Sequence, residues 1–252
     1  LSRFREKLHA VRDVSYTVSK GEVLGIAGES GCGKSTLVSG LMGMCIPPLH
    51  VTSGDVRING ESLMNRTVED VRANVLAQKI SMIPQGAFNT LNPVRKIKDS
   101  AADVFYAHQK AGQRLSRAEI NDRIFDRFDE LGMETKRILN SYPIQLTAGE
   151  RQRSVIGIST LLNPEIVIAD EPTSALDVST QKEVITMIFD LLNKGIFSSM
   201  IFITHELPLL YHVADDIAIM YKGQFVERGT SEQIVKNPQH DYTKRSEERR
   251  VG

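Results

Sequence analysis

Tryptophan is absent from this 252-residue chain, and cysteine occurs only at Cys32 and Cys45. Two thiols outside any metal-ligand spacing exclude a disulfide scaffold or a zinc-held fold, and they read as free thiols of a reducing compartment. Neither charge is in excess: Lys plus Arg number 31 and Asp plus Glu 31. Proteins that grip nucleic acid usually carry a basic surplus, so that class is disfavoured. No apolar run approaches the ~18 residues of a membrane-spanning helix. No signal peptide is expected, and the sequence shows neither heptads nor internal repeats. What is present is an ordinary globular balance, 41% hydrophobic and 25% charged, sized for one large domain or one domain with an inserted subdomain. The first residue, Leu1, is not methionine, so a few native residues are expected before it. Lys244 to Gly252 is charged and patternless, and is expected to be disordered or foreign to the native protein.

The most informative stretch is Gly28-Glu29-Ser30-Gly31-Cys32-Gly33-Lys34-Ser35, followed by Thr36. It fits G-x-x-x-x-G-K-[ST], a phosphate-cradling loop that occurs by chance in about one chain per hundred of this length. Val23 to Ala27 before it reads as a buried strand, and Thr36 to Met42 after it as a helix. Glycines let backbone N–H groups turn toward phosphate without a Cβ in the way. The helix start adds roughly half a positive charge. Gly28 through Thr36 are therefore the expected nucleotide-binding residues.

Elsewhere the pattern is α/β with one interruption. Ala10 to Val18 alternates and reads as a member of an antiparallel pair leading into the loop strand. Val56 to Gly60 and Lys79 to Pro84 read as strands, and Thr67 to Leu76 as a helix capped by Thr67. From Phe88 to Leu162 helical periodicity dominates: Ile97 to Gln109, Arg117 to Leu131 with Ser116 and Glu119 as a capping box, and Gly149 to Leu162. Alternation then returns. Ile166 to Ala169, Ser199 to Thr204, Ile217 to Tyr221 and Gln224 to Arg228 read as strands. Val178 to Asn193, Pro208 to Val213 and Ser231 to Lys236, the last capped by Ser231, read as helices. Strands alternating with helices imply a parallel sheet with helices on its faces.

Ile166-Val167-Ile168-Ala169 runs directly into Asp170-Glu171. An acid at the end of a buried strand beside the phosphate loop is where a carboxylate holding Mg²⁺ belongs, with the Ser35 hydroxyl as the other protein ligand. Glu171, one residue on, points elsewhere by the pleat and is placed to polarise an attacking water, a role worth about 10²–10⁴ in rate.

With these residues in view, the chain resembles the nucleotide-binding subunit of an ATP-binding cassette (ABC) transporter from about Leu8 to Thr243. The family's loops occur in the family's order. Gln85 matches the Q-loop glutamine, Leu146-Thr147-Ala148-Gly149-Glu150 the signature, Ser174-Ala175-Leu176-Asp177 the D-loop, and His205 the switch histidine. The resemblance implies a P-loop NTPase of ABC type, with an antiparallel β subdomain and an inserted α-helical subdomain at about 88–162. It implies ATP and Mg²⁺, with Gln85 reaching Mg²⁺ or the lytic water and His205 the γ-phosphate. Thr147 and Gly149 would meet the γ-phosphate held by a second ABC ATPase subunit, the same chain or a related one.

The signature departs from the family's Leu-Ser-Gly-Gly-Gln: Ala148 replaces a glycine and Glu150 a glutamine. Ala148 is expected to crowd a phosphate or strain the backbone, and Glu150 to add negative charge, so a weakened ATP site in a mixed dimer is one expectation. Phe4 is the candidate for adenine stacking. Cys32, among N–H groups at a helix start, is expected to react with thiol reagents unless MgATP protects it.

Asn89-Thr90-Leu91-Asn92-Pro93-Val94 and Pro238-Gln239-His240-Asp241-Tyr242-Thr243 are similar to segments of the peptide/nickel importer subgroup. That implies ATP-driven uptake of peptides, nickel or a related solute at the cytoplasmic face of the cell membrane. The partners implied are transmembrane permease subunits, docked near Gly86 to Arg95, and indirectly an extracytoplasmic solute-binding protein. No cysteine cluster supports an iron–sulfur site. The alternative is a soluble ABC ATPase working on nucleic acid or ribosomes, and zero net charge with no coiled coil weighs against it. A regulatory module that binds ATP without turnover is a third reading, opposed by Glu171 and His205.

Overall fold

The computed structural model describes residues 8–86, 90–109, 114–174 and 176–244. Its centre is a six-stranded sheet of order β4-β5-β6-β1-β7-β8. The strands are β1 (Val23–Ala27), β4 (Ile80–Ile83), β5 (Ile166–Asp170), β6 (Ser199–Thr204), β7 (Asp216–Tyr221) and β8 (Gln224–Thr230). All neighbouring pairs are parallel except β7 with β8, which a Lys222-Gly223 turn joins as a hairpin. Parallel strands are covered on both faces and so read as continuous apolar runs.

The pleat divides each run between two cores. Val23 and Ala27 of β1, Met200 and Phe202 of β6, and Ile217 and Ile219 of β7 face one core. That core is completed by α7 (Val178–Asn193), through Val184, Ile188 and Leu191, and by α8 (Leu207–Val213), through Leu210. Leu24 and Ile26, Ile201 and Ile203, and Ala218 and Met220 face the other. There they meet α1 (Lys34–Leu41), α2 (Val68–Asn74) and a two-residue-per-strand hairpin of β2 (Arg57–Ile58) with β3 (Glu61–Ser62).

A third core belongs to helices α3 (Ile97–His108), α4 (Arg117–Glu130), α5 (Thr135–Asn140) and α6 (Ala148–Ser159). Ile120, Ile124 and Phe128 of α4 lie on one stripe and are at most 1% exposed; each such side chain contributes roughly 1.5–3 kcal/mol of burial. Serine hydroxyls join this layer to the sheet. Ser159 donates to the Met82 carbonyl at 2.8 Å and Ser81 to the Ser159 carbonyl at 2.7 Å.

Three sequence expectations change. Ala10 to Val18 forms no strand: Val11, Val14, Tyr16 and Val18 do turn toward the core, but their backbone joins no ladder. Alternation reported burial correctly and pairing wrongly, and among the described residues antiparallel pairing is confined to β2–β3 and β7–β8. Helix α9 (Ser231–Lys236) is capped by Thr230, in a capping box with Gln233, and not by Ser231; the Ser231 hydroxyl instead donates to the Ala214 carbonyl. Helix α5 was not foreseen.

Candidate functional site

Register sets the site. Ala27 of β1 lies beside Thr204 of β6, Asp170 of β5 beside Ile203, and Ile83 of β4 beside Ala169. The chain therefore leaves four adjacent parallel strands at one sheet edge, where α/β folds bind ligands. Gly28 follows β1, Gln85 follows β4 by one residue, Glu171 follows β5 and His205 follows β6. All four line one open cleft of about 1110 Å³, together with Glu29 to Thr36 and Asp170.

Two glycines of the phosphate loop are irreplaceable for different reasons. A Cβ at Gly28 would sit 2.4 Å from the Met220 carbonyl oxygen. Gly33 caps α1 with φ of 113°, and a Cβ there would lie 2.7 Å from the Ala10 carbonyl oxygen. The turn glycine Gly223 is packed against that same oxygen, and its N–H donates to the Cys32 carbonyl at 2.8 Å. The loop is thus wedged between the upstream segment and the β7–β8 turn. Lys34 is 8% exposed and donates to the carbonyls of Gly28 at 2.6 Å and Glu29 at 3.0 Å. Ser35 lies exposed in the first turn of α1. Cys32 is only 7% exposed, which opposes the expectation of a ready target for thiol reagents.

Asp170 is 7% exposed at the end of β5. Burial pushes its carboxyl above the usual range, the charge of Glu171 adds to the rise, and Lys34 opposes it. Glu171 adopts φ of 44°, a left-handed backbone that residues other than glycine rarely occupy, and its N–H is held by the Ile203 carbonyl at 2.8 Å. This twist turns its carboxylate between two partners: Gln85 donates to Oε2 at 2.9 Å, and His205 Nδ1 lies 3.3 Å from Oε1. Ser35, Gln85 and Asp170 share the cleft and offer only oxygen donors and an amide, a set suited to a hard cation completed by phosphates and water. Among the described residues no group of three or more His, Cys, Asp and Glu is placed to hold a metal unaided.

Thr147 and Gly149 do not line this cleft. Thr147 caps α6, accepting from the Glu150 N–H while the Glu150 carboxylate accepts from the Thr147 N–H at 2.9 Å. Glu150 also pairs with Arg137 of α5. Burial alone would raise the Glu150 carboxyl, but Thr147 and Arg137 together hold it below the usual range. Ala148 is exposed at the first helical position, not in left-handed backbone, so the expected backbone strain is absent. Gly149 carries the steric constraint instead: a Cβ there would lie 2.7 Å from Thr180 Cγ2. Phe4, Asn89 and Ala175 lie outside the described residues.

Sequence reasoning missed cleft residues brought from afar, among them Arg12, Lys222 and Tyr242. No local pattern marks them, although Tyr242 stands in a segment noted for another reason.

A family model described as "ABC transporter" matches residues 11–174. The oligopeptide transport ATP-binding protein OppD of Lactococcus lactis is 36% identical over 93% of this chain and 68% of that protein. OppD of Bacillus subtilis is 37% identical over 94% of this chain and 65% of that protein. The metal-staphylopine import system ATP-binding protein CntD of Staphylococcus aureus is 35% identical over 93% of this chain and 84% of that protein. The chain therefore spans about two thirds of the length of the OppD relatives. Among solved structures, the ATP-binding cassette MJ0796, a dimer bound to ADP and phosphate, superposes with a TM-score of 0.76 at 23% identity, covering 92% of this chain and 94% of that one. That likeness is one of fold.

Proposed function

The chain belongs to the ABC transporter family, and on that premise we propose that it is the ATP-binding, ATP-hydrolysing subunit of an importer for peptides or a chemically related solute. The observation that carries the reading is the convergence of Lys34, Asp170, Glu171, Gln85 and His205 on one cleft at the ends of four parallel strands. The names of the relatives support transport of oligopeptides or of metal complexes. None of them favours a nucleic-acid role.

In this reading Gly28 to Thr36 wrap the phosphates, and Lys34 swings from the Gly28 and Glu29 carbonyls to the nucleotide. Mg²⁺ would be held by the Ser35 hydroxyl, by Asp170 directly or through water, and by Gln85. When bound it neutralises phosphate charge and fixes its orientation. Glu171 takes a proton from the attacking water. Gln85 and His205 hold its carboxylate in place beforehand, and His205 then reaches the γ-phosphate. Thr147 and Gly149, which do not line this cleft and stand at the start of α6, serve the nucleotide of a second cassette subunit across a dimer. Residues from about 88 to 162 act as the helical subdomain of a single cassette. Val94, within the segment Gly86 to Arg95 that follows Gln85, is 78% exposed and supplies an apolar contact for a permease subunit. Among the described residues no helix is long and apolar enough to cross a membrane; in this proposal the subunit reaches the cytoplasmic face of the membrane through its permeases and serves an external solute-binding protein indirectly.

The direct test is equilibrium binding of labelled ATP with Mg²⁺, followed by phosphate release from the assembled complex. Folded protein that retains no ATP at millimolar concentration would overturn the proposal.

A further inference from the structure

The described C-terminal segment is bound to the phosphate loop by a contact that no motif announces. The backbone N–H of Glu29 donates to the Tyr242 hydroxyl at 3.1 Å, across 213 positions of sequence. The Tyr242 ring stacks on Tyr221, centroids 4.5 Å apart and planes 28° from parallel, and Lys222 Nζ lies 5.0 Å from the Tyr221 ring centroid. The segment carrying Tyr242 is itself fastened. Glu227 of β8 accepts the N–H of Gln239 at 2.6 Å and of His240 at 3.1 Å, the Tyr242 N–H donates to His240 Nδ1 at 3.1 Å, and Thr243 is fully buried. Burial holds the phenol above its usual pKa, so it is a neutral hydroxyl at physiological pH.

Glu29 is therefore gripped at both ends of its backbone. Lys34 takes its carbonyl and Tyr242 its N–H. When Lys34 turns toward nucleotide phosphates the carbonyl is released, and the tyrosine remains as a tie on the first bend of the loop.

We infer that Tyr242 is a positioning residue of the phosphate loop, and that the segment Asn237 to Thr243 sets nucleotide affinity through it. This deepens the proposed function and rests on the cleft being a nucleotide site. The tie acts before chemistry, by holding the loop in its binding shape, so it changes binding more than turnover.

Tyr242→Phe keeps the ring stack and removes the hydroxyl. The dissociation constant for MgATP, followed with a fluorescent ATP analogue, is expected to rise about two- to tenfold, the ordinary worth of one neutral hydrogen bond. KM should rise more than kcat falls. Hydrogen exchange of the peptide spanning Gly28 to Lys34 should accelerate in the variant. Glu227→Ala releases the segment from a point outside the cleft and should weaken binding in the same direction, with a less than additive effect in the double variant. If both single variants are folded, bind MgATP as the parent does and leave loop exchange unchanged, the inference is wrong while the nucleotide reading stands. A parent protein that binds no nucleotide removes both.

Discussion

Gln85 donates its side-chain amide to the Glu171 carboxylate at 2.9 Å. Two loops from adjacent strands thus meet at the carboxylate proposed to activate water. Glu171→Gln should abolish steady-state phosphate release by about 10²–10⁴ while leaving ATP binding intact. Gln85→Ala should slow turnover less, since His205 still holds the other carboxylate oxygen. Phosphate release and ATP retention on the same preparations separate the two effects.

Asp170 carries a pH signature. Burial, with Glu171 adding like charge, raises its pKa above the unfolded value. The folded state then holds that proton more tightly than the unfolded chain, and ionisation costs stability as pH rises through the raised value. Asp170→Asn should therefore raise the Tm of nucleotide-free protein at neutral pH, with the gain shrinking as pH falls through the raised pKa and vanishing below the ordinary carboxylate range. The same variant should lose Mg²⁺-dependent hydrolysis. Thermal melts across pH, beside ATPase assays, check both signs.

The signature helix leans on α7 at Gly149. Gly149→Ala should overpack against Thr180 and cost about 1–3 kcal/mol of stability. Thr180→Ser removes the clashing methyl and keeps the hydroxyl that bonds Asp177. The double variant should recover most of the loss in denaturant titration.

Glu150 keeps its charge but shares it with Arg137. Arg137→Ala should lower ATPase turnover of the assembled complex by exposing the opposing nucleotide to that charge, and adding Glu150→Gln should restore it. Ala148→Gly should raise turnover by removing a methyl from the phosphate's path, since no local backbone strain is there to relieve. Equal turnover in all of these complexes would show that the altered signature is tolerated as it stands.

Much of the architecture was legible because this chain is locally consistent. Val23–Ala27 and Ser199–Thr204 coincide with their apolar runs, and Val178–Asn193 ends where Gly195 allows it to. The site residues after β1, β4, β5 and β6 were readable because motif and strand end coincide. Ala10 to Val18 failed because alternation encodes which side chains are buried, not whether the backbone pairs. The Ser231 cap failed because two hydroxyl residues adjoin, and tertiary contact with Ala214 claimed the second one. Helix α5 is too short for periodicity to register. Tyr242 and Arg12 were invisible as site residues because only the folded chain brings them to the phosphate loop.

The carbonyl of Ala10 has a practical consequence. Gly33 and Gly223 both leave room for it, so a stretch with no regular structure forms one wall of the candidate nucleotide cleft. Expression boundaries drawn at the first strand would preserve every diagnostic motif and still breach that wall. A protein trimmed in this way would look complete to any motif search and bind nucleotide poorly.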